Sequence, residues 1–374
     1  MRIFSIALLG IFFSVMAGVK FSADRTDGFI LEDFLGDSER LDYRVNQVFE
    51  SMTDEEKAGQ LIVAAAGRLG KPTSVVMKLV KEKKIGGVLL LNGTVETFKS
   101  LIVSFDSMSQ QSGGLGLIYS ADAEPTLINR KIEGSRPCLK TNEIKNQEEC
   151  RQVAKQISED LNNIGIHWNY APVCDMNLNS LMNTRSFGND PFNVSALCNA
   201  FNSVSKAAGI VTTAKHFPGH GNVAGDSHLN LVKINGEMKE KEIFKSVIDS
   251  AVPTIMIGHI AVENNPAYNT NGLPASVSKN IVTDLLKNEM GFRGLVVTDA
   301  MGMGGVADIP NNTVGAIRAG CDVILMPKDE ALAHAEILAE MQKDNAFREQ
   351  VHASVRKVLR LKICIGLIPS WVRD

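Results

Sequence analysis

The sequence predicts an α/β protein built as a single (β/α)8 barrel of the TIM type, and three observations support this fold class. Apolar runs alternate with amphipathic, charged stretches, and the alternation occurs eight times along the 374 residues. Polar side chains directly follow several of the apolar runs, at the same end of each run. The Gly-x-Gly-x-x-Gly turn of dinucleotide-binding sheets is absent after the first run. A closed barrel with its site at the carboxyl ends of the strands fits these features better than an open, doubly wound sheet.

The predicted strands are short runs rich in Val, Ile, Leu and Ala, several of them introduced by glycine. They are Gln60–Ala66, Gly86–Leu91, Leu115–Ser120, His167–Cys174, Gly209–Ala214, Pro253–Gly258, Gly294–Thr298 and Asp322–Met326. Charges on one face predict helices between strands, among them Arg151–Asn163, Glu240–Ser250, Lys279–Met290 and Glu330–Lys343. The first helix opens with the capping box Thr53-Asp-Glu-Glu56. The last helix is predicted to end near Cys364, so we expect no second, β-sandwich domain.

Composition restricts the kind of partner. With 44% hydrophobic and 22% charged residues, the chain has ample apolar surface for a core. The net charge is −3, and Lys and Arg are dispersed among acidic residues, so the electrostatic footprint of a nucleic-acid-binding protein is missing. We therefore expect a small or neutral substrate and no nucleic-acid partner. We also expect a monomer that uses no cofactor.

The N-terminus has the pattern of a secretory signal. A basic residue, Arg2, precedes a long apolar run that ends in small residues. We expect residues 1–22 to be a signal peptide and the protein to be exported, with a retained anchor or a buried helix as alternatives. Residues 23–50 would form an N-terminal extension, residues 51–364 the barrel and residues 365–374 a tail. No later apolar run is long enough to span a bilayer.

The six cysteines lack C-x-x-C spacing, which argues against a metal or redox motif. Cys174 and Cys321 fall in strand-like runs and are expected to be buried thiols. Cys138 and Cys150 flank one polar loop, and the sequence leaves open whether they form a disulfide.

The segment from Ala214 to His228 holds most of the reactive side chains, including three histidines, a lysine and an aspartate. It starts at the end of the fifth predicted strand, so Lys215 and His216 should lie at the mouth of the barrel. Asp226 and His228 are two residues apart, a spacing that lets the carboxylate hold the imidazole tautomer needed for acid/base catalysis. The alternative for His228 is an ordinary surface histidine.

Asp299 ends the seventh predicted strand and is followed by small, flexible residues. A carboxylate anchored at a strand end has the fixed access to an electrophilic carbon that a nucleophile needs. A helix N-cap is the alternative role for this residue. Three further polar side chains follow strands three, four and six, namely Asp122, Asp175 and His259.

Several motifs occur together in the order and spacing of a known family. They are Gly165-Ile-His-Trp-Asn-Tyr-Ala-Pro-Val-Cys-Asp175, Thr184-Arg-Ser-Phe-Gly188, Lys215-His-Phe-Pro-Gly-His-Gly221, Gly225-Asp-Ser-His228, Met256-Ile-Gly-His259, Pro274-Ala-Ser276 and Val297-Thr-Asp299. From about Asp54 to Lys362, the chain resembles the glycoside hydrolase family 3 β-N-acetylglucosaminidases, also called β-hexosaminidases. The resemblance implies that Asp299 is the catalytic nucleophile and that His228, supported by Asp226, is the acid/base. The substrate-binding residues would be Asp122, Arg185, Lys215, His216, Arg130 and His259, with no metal ligand.

The resemblance implies retaining removal of non-reducing N-acetylglucosamine through a covalent glycosyl-Asp intermediate. The substrate would be a peptidoglycan fragment or a chitooligosaccharide, and the sequence does not choose between them. One motif departs from the family, which usually has Asp-Gln-Glu-Gly-Gly-Arg where this chain has Asp122-Ala-Glu-Pro-Thr-Leu. Because proline fixes φ and removes an N–H, this rim of the sugar site is expected to differ in shape.

Three other functions stay open on the sequence. Phosphate could replace water as the acceptor, since a neutral imidazole repels anions less than a glutamate does. The altered loop after Asp122 would also suit a catalytically inactive, glycan-binding barrel. Zinc could be bound by the set His216, His220, His228 and Asp299. The first strand argues against zinc, because it ends in Val63-Ala-Ala-Ala66 and lacks a His-x-His pair.

Overall fold

The computed structural model describes residues 28–178, 182–221, 223 and 229–368, and it confirms the closed barrel. Its wall consists of the parallel strands β1 (Ile62–Ala66), β2 (Gly87–Leu90), β3 (Ile118–Ala121), β4 (Trp168–Asn169), β5 (Val211–Phe217), β6 (Thr254–Ile257), β7 (Leu295–Thr298) and β8 (Ile324–Leu325). Neighbouring strands pair in the order β7-β6-β5-β4-β3-β2-β1-β8. A parallel bridge between Val297 and Val323 closes the wall between β7 and β8. All strands therefore end at one mouth, as a barrel site requires.

Helices surround this wall, and two short parallel strand pairs lie outside it. The helices are α1 (Glu39–Glu50), α2 (Asp54–Gln60), α3 (Thr73–Lys81), α4 (Val95–Gln111), α5 (Ile128–Lys131), α6 (Gln147–Ile164), α7 (Pro191–Ala207), α8 (Lys241–Asp249), α9 (Asn312–Ala319), α10 (Glu330–Lys343) and α11 (Asn345–Cys364), with a π-helix at Asn280–Glu289 and 3-10 turns at Leu31–Leu35, Thr141–Glu143 and Ala275–Val277. The outer strands pair Val232–Asn235 with Ile260–Glu263 and Gly93–Thr94 with Ile132–Glu133.

The eight predicted strands all exist with shifted ends, and the carboxyl ends of β4 and β5 depart most from the prediction. Regular pairing in β4 ends at Asn169, because Pro172 has no N–H to donate, although Val173 still bridges to Lys215. Strand β5 continues to Phe217, so Lys215 and His216 are part of the strand and not of the loop after it. The reactive side chains of this segment are therefore held by strand pairing.

The capping box at the start of α2 is confirmed. Thr53 Oγ1 accepts from the Glu56 N–H at 3.3 Å, and Glu56 Oε2 accepts from the Thr53 N–H at 3.1 Å. The region predicted as an N-terminal extension contains α1, which packs on α11 and buries Leu41, Val45 and Phe49. Burying such side chains contributes about 1.5–3 kcal/mol each, so α1 is an integral part of the barrel's outer layer.

The predicted signal peptide, residues 1–22, lies outside the described residues. Within the described part of the chain, no helix is both long and apolar enough to cross a membrane. All six cysteines are free thiols, and Cys174 and Cys321 are buried as predicted. Cys138 Sγ contacts Pro125 O at 3.5 Å and Cys150 Sγ contacts Leu197 O at 3.3 Å, so these two thiols face different partners and are not joined.

Candidate active site

A compact cluster of charges lies at the carboxyl ends of β3 and β5. Lys215 Nζ is 2.9 Å from Asp122 Oδ1 and 2.6 Å from Glu124 Oε1. Asp122 Oδ2 is 2.6 Å from Nζ of Lys131, the last residue of α5. Arg185 completes the cluster with two parallel bonds to Glu124, from Nε to Oε2 at 2.9 Å and from Nη2 to Oε1 at 2.8 Å.

The cluster keeps its carboxylates ionised. Burial alone would raise the pKa of Asp122, but Lys215 and Lys131 hold it well below its ordinary value. Burial likewise opposes ionisation of Glu124, yet Arg185 and Lys215 lower its pKa to about 2. The Asp122 and Lys131 side chains are each 19% exposed, whereas those of Glu124 and Lys215 are almost fully buried. Asp122, Lys131 and Arg185, whose side chain is 20% exposed, are therefore the part of the cluster that a ligand can reach.

A second group of contacts fixes His216. Its Nδ1 lies 2.6 Å from Oδ2 of the fully buried Asp175, which also accepts the His216 backbone N–H at 3.2 Å. Asp175 Oδ1 accepts the backbone N–H of His220 at 2.7 Å. Burial opposes ionisation of Asp175, but His216 and His220 lower its pKa. The carboxylate therefore fixes the His216 ring and the following turn in one arrangement, with Nε2 as the remaining ring nitrogen.

Asp299 lies directly after β7, where its backbone N–H donates to Ile257 O at 2.9 Å. Its side chain accepts the Ala300 N–H on Oδ1 at 2.8 Å. Burial raises the pKa of this carboxyl, but His216, His259 and the Ala300 N–H together bring the pKa below its ordinary value. Asp299 is partly exposed, so it is an ionised and accessible carboxylate beside the charge cluster.

His259 is fully buried behind Asp299, and both of its ring nitrogens bind protein atoms. Nε2 is 3.1 Å from Ala300 O, so it carries the proton and donates. Nδ1, 2.8 Å from Ser276 Oγ, then accepts the hydroxyl proton. With both nitrogens bonded, His259 links the Asp299–Ala300 segment to Ser276 of the Pro274-Ala-Ser276 motif.

A buried glutamate supports the glycine turn after β5. Glu240 Oε1 accepts the Gly221 N–H at 3.0 Å, and its Oε2 has no hydrogen-bond partner among the described residues. A Cβ atom on Gly219 would lie 2.5 Å from Oε2, and one on Gly221 would lie 2.2 Å from Met176 O. Burial and the nearby Asp175 raise the pKa of Glu240 to about 7. The two glycines are therefore needed because a carboxyl group fills the space beside them.

The structure brings most of the predicted site residues together. Grouped at the mouth of the barrel are Asp122, Arg185, Lys215, His216, His259 and Asp299. Arg130 is different: its side chain is exposed, and no ion pair within the described part of the chain joins it to the cluster, where its neighbour Lys131 binds Asp122. Asp226 and His228 lie outside the described residues, so their roles stay predictions.

Four residues of the site were given no role on the sequence, namely Asp175, Glu124, Lys131 and Glu240. Asp175 was noted on the sequence as a polar residue after the fourth strand but without a role, and Glu124 stands two residues after Asp122 in the same motif. Lys131 and Glu240 had no comparable signal in the sequence. Lys131 pairs with Asp122 nine residues earlier, and Glu240 bonds to Gly221 19 residues earlier.

No group of three His, Cys, Asp or Glu side chains is arranged to hold a metal ion in the described ranges, which exclude His228. The arrangement alternates ammonium or guanidinium donors with carboxylate acceptors beside the partly exposed, ionised Asp299. Such a surface suits a neutral ligand with many hydroxyl groups, since each hydroxyl both donates and accepts hydrogen bonds.

Comparisons with known proteins identify the family of this chain. The sequence profile described as the glycosyl hydrolase family 3 N-terminal domain matches residues 53–361. Beta-hexosaminidase A of Pseudoalteromonas piscicida is 30% identical over 300 residues, which cover 73% of this chain and 49% of that protein. The beta-N-acetylglucosaminidase/beta-glucosidase of Cellulomonas fimi is 27% identical, with 86% of this chain and 60% of that protein covered. The chain thus spans about half to three fifths of the length of these two relatives.

Solved structures give the same result. The family 3 beta-N-acetylglucosaminidase of Paenibacillus sp. str. FPU-7 superposes with a TM-score of 0.77 at 27% identity, covering 84% of this chain and 63% of that one. The beta-N-acetylhexosaminidase of Beutenbergia cavernae gives a TM-score of 0.73 at 25% identity, covering 82% of this chain and 98% of that one. A beta-glucoside phosphorylase, BglX, shares the fold with a TM-score of 0.78 at 21% identity, covering 89% and 64% of the two chains. The resemblance seen in the motifs is confirmed, and the chain belongs to glycosyl hydrolase family 3.

Proposed function

We propose that this protein is a retaining exo-β-N-acetylglucosaminidase with Asp299 as its nucleophile. The observation that supports the proposal best is the partly exposed, ionised carboxylate of Asp299 beside the Asp122–Lys215–Glu124 cluster. The relatives whose names report action on N-acetylhexosamines supply the sugar class.

The reaction would proceed in two steps. Asp299 Oδ2 attacks the anomeric carbon, since Oδ1 is already bonded to the Ala300 N–H. His228, supported by Asp226, gives a proton to the departing oxygen and then takes one from water, which releases the sugar with net retention. Asp122, Lys131 and Arg185, the reachable part of the cluster, would bind hydroxyls of the ring.

The natural substrate is proposed as a peptidoglycan fragment or a chitooligosaccharide, met outside the cytoplasm after export by the N-terminal signal. The two are distinguished by assaying both with the purified protein and comparing kcat/KM. A mature N-terminus that begins near residue 23 would support export, and recovery of the protein with an intact Met1 in the cytoplasmic fraction would contradict it.

The central experiment compares 4-nitrophenyl β-N-acetylglucosaminide with the matching β-glucoside, in the presence of EDTA. We expect activity on the N-acetyl sugar, and a loss on the order of a thousandfold in kcat for Asp299→Ala. Asp308→Ala is the matched control, because this aspartate lies in the same loop with its side chain 95% exposed. Wild-type loss with EDTA would instead support the zinc alternative.

The acid/base role has its own test. The 4-nitrophenolate group leaves without a proton, so His228→Ala should impair mainly the second step and let the glycosyl-enzyme accumulate. Azide should restore turnover and give the β-glycosyl azide. An α-azide would contradict retention, and an unimpaired variant would contradict the assignment of His228.

The other functions left open give different outcomes in the same assay. Faster turnover with inorganic phosphate and release of a sugar 1-phosphate would establish a phosphorylase. Binding of N-acetylglucosamine oligosaccharides by the folded wild type without turnover would establish a glycan-binding barrel.

A further inference from the structure

Two buried thiols lie next to each other beside the site. Cys174 Sγ and Cys198 Sγ are 3.4 Å apart, and both residues have no exposed surface. Cys174 lies between β4 and Asp175, and Cys198 lies in the middle of α7. Cys198 Sγ also contacts Val173 O at 3.5 Å, so the helix thiol points at the strand end.

This geometry is close to that of a disulfide. The separation of the sulfur atoms exceeds an S–S bond by about 1.4 Å, a gap that small χ1 rotations at both residues can close. We propose that Cys174 and Cys198 form a disulfide when the chain folds in the presence of a disulfide oxidant. The proposal does not depend on the catalytic activity.

The reaction is a thiol–disulfide exchange. One cysteine thiolate attacks the oxidant, either glutathione disulfide or an oxidoreductase disulfide, and forms a mixed disulfide as the first oxidant thiol leaves. The second cysteine thiolate then displaces the other oxidant thiol and forms the Cys174–Cys198 bond. Two protein thiols lose two protons and two electrons, and the oxidant becomes two thiols.

The bond would form before burial is complete and would then be protected. In the folded chain both sulfur atoms are out of contact with solvent, and burial raises the pKa of the Cys198 thiol well above its ordinary value. A native thiol pair would therefore resist oxidants, and a native disulfide would resist mild reductants.

A Cys174–Cys198 disulfide would affect the site because of where Cys174 lies. Cys174 directly precedes Asp175, whose carboxylate fixes the His216 ring and the His220 N–H. A disulfide would tie this strand end to α7 and close a loop of about 25 residues. Cross-linking a loop of this size should raise Tm by roughly 5 °C in a chain of this length.

Two other thiols could compete, so the test must identify the pair. Cys150 Sγ contacts the carbonyl of Leu197, which directly precedes Cys198, and Cys138 lies in the loop before α6. Pairs of Cys150 with Cys198 or with Cys138 are therefore the two wrong pairs to exclude.

The experiment refolds the full chain either in a glutathione redox buffer or in excess dithiothreitol. Remaining thiols are alkylated in denaturant, and the protein is digested without reduction for mass spectrometry. We expect a linked pair of peptides that contain Cys174 and Cys198, two hydrogen masses lighter than their sum, from the glutathione sample alone. Alkylation of both cysteines in that sample, or either of the wrong pairs, would overturn the proposal.

Variants supply a second readout. The wild type folded in glutathione buffer should melt several degrees above the dithiothreitol sample, and Cys150→Ala should keep this difference. Cys198→Ala should abolish it. The peptide map of the wild type decides the proposal even where the Cys198→Ala chain does not fold.

Discussion

Two aspartates at opposite ends of the barrel, each paired with lysines, show how the same charges can stabilise a fold or form a site. Asp322 precedes β8, with a side chain only 2% exposed, and faces Lys287 at 3.2 Å and Lys357 at 3.5 Å. It also accepts the Val296 N–H at 2.9 Å and the Ser354 hydroxyl at 2.8 Å. Asp122 follows β3, also faces two lysines, but its side chain is 19% exposed. The enclosed cluster uses its acceptor capacity internally, whereas the open one leaves part of it for a ligand.

Removing the enclosed carboxylate is the strongest way to test this difference. Asp322→Ala leaves Lys287 and Lys357 without their shared anion and the Val296 N–H without an acceptor. We expect a loss of about 3–5 kcal/mol in the free energy of unfolding, measured by denaturant titration. Ser354→Ala removes a single hydrogen bond to the same carboxylate and should cost about 1 kcal/mol. Equal losses in the two variants would contradict a central role for the Asp322 charge.

Glu240 is a third kind of carboxyl group, because, unlike Asp322 and Asp122, it is buried with no ion-pair partner in the described part of the chain. Its pKa is raised to about 7, so its contribution to stability is full below the unfolded value near 4.5 and is lost as pH rises to about 7. The total change is at most about 3 kcal/mol. Glu240→Gln should flatten the fall in Tm between these pH values. An unchanged pH profile would show that Glu240 does not titrate there.

The open cluster should respond in activity more than in stability. In Asp122→Asn, Lys215 keeps Glu124 at 2.6 Å, so the variant should unfold near the wild-type denaturant concentration. We expect kcat/KM for the N-acetylglucosaminide to fall about a hundredfold, or about 2.7 kcal/mol. A loss of stability as large as that of Asp322→Ala would show that both clusters mainly stabilise the fold.

The smallest expected effect separates two neighbouring cations. Lys131→Met should lower kcat/KM about tenfold, because it removes the partly exposed cation at Asp122. Arg130→Met should have the smaller effect, since Arg130 is exposed and Lys131 binds the aspartate. Lys328→Met, on an exposed lysine paired with Asp308, controls for a change in net charge. The reverse order of the first two variants would restore Arg130 as the substrate-binding residue.

The sequence was sufficient for the barrel and for placing Asp122, Lys215 and Asp299 at its mouth. Helix α10 begins and ends at the predicted Glu330 and Lys343, because strong helix formers and an Asp329 cap define it locally. The extension of β5 to Phe217 was not predicted, since it depends on pairing with β6 and not on an apolar run. Asp175 and Glu240 act on residues 41 and 19 positions away, contacts that appear only once the chain is folded.

The sequence could not predict whether Arg130 or Lys131 binds Asp122. The two side chains differ by one position on the four-residue helix α5, and one position on a helix turns a side chain by about 100°. The rotation of that short helix depends on the loop after Asp122, which departs from the family pattern. Residue type alone could therefore identify a cation for this rim but not which of the two reaches the aspartate.

The carboxyl group of Glu240 beside Gly219 and Gly221 also bears on attempts to transfer this turn to another barrel. A graft of residues 215–221 alone would leave a hole where the carboxyl group stands, or a clash where the host has a larger side chain. The turn and residue 240 therefore form one transferable unit, although they are separate in the sequence. Engineers who exchange the turn between family members should move position 240 with it.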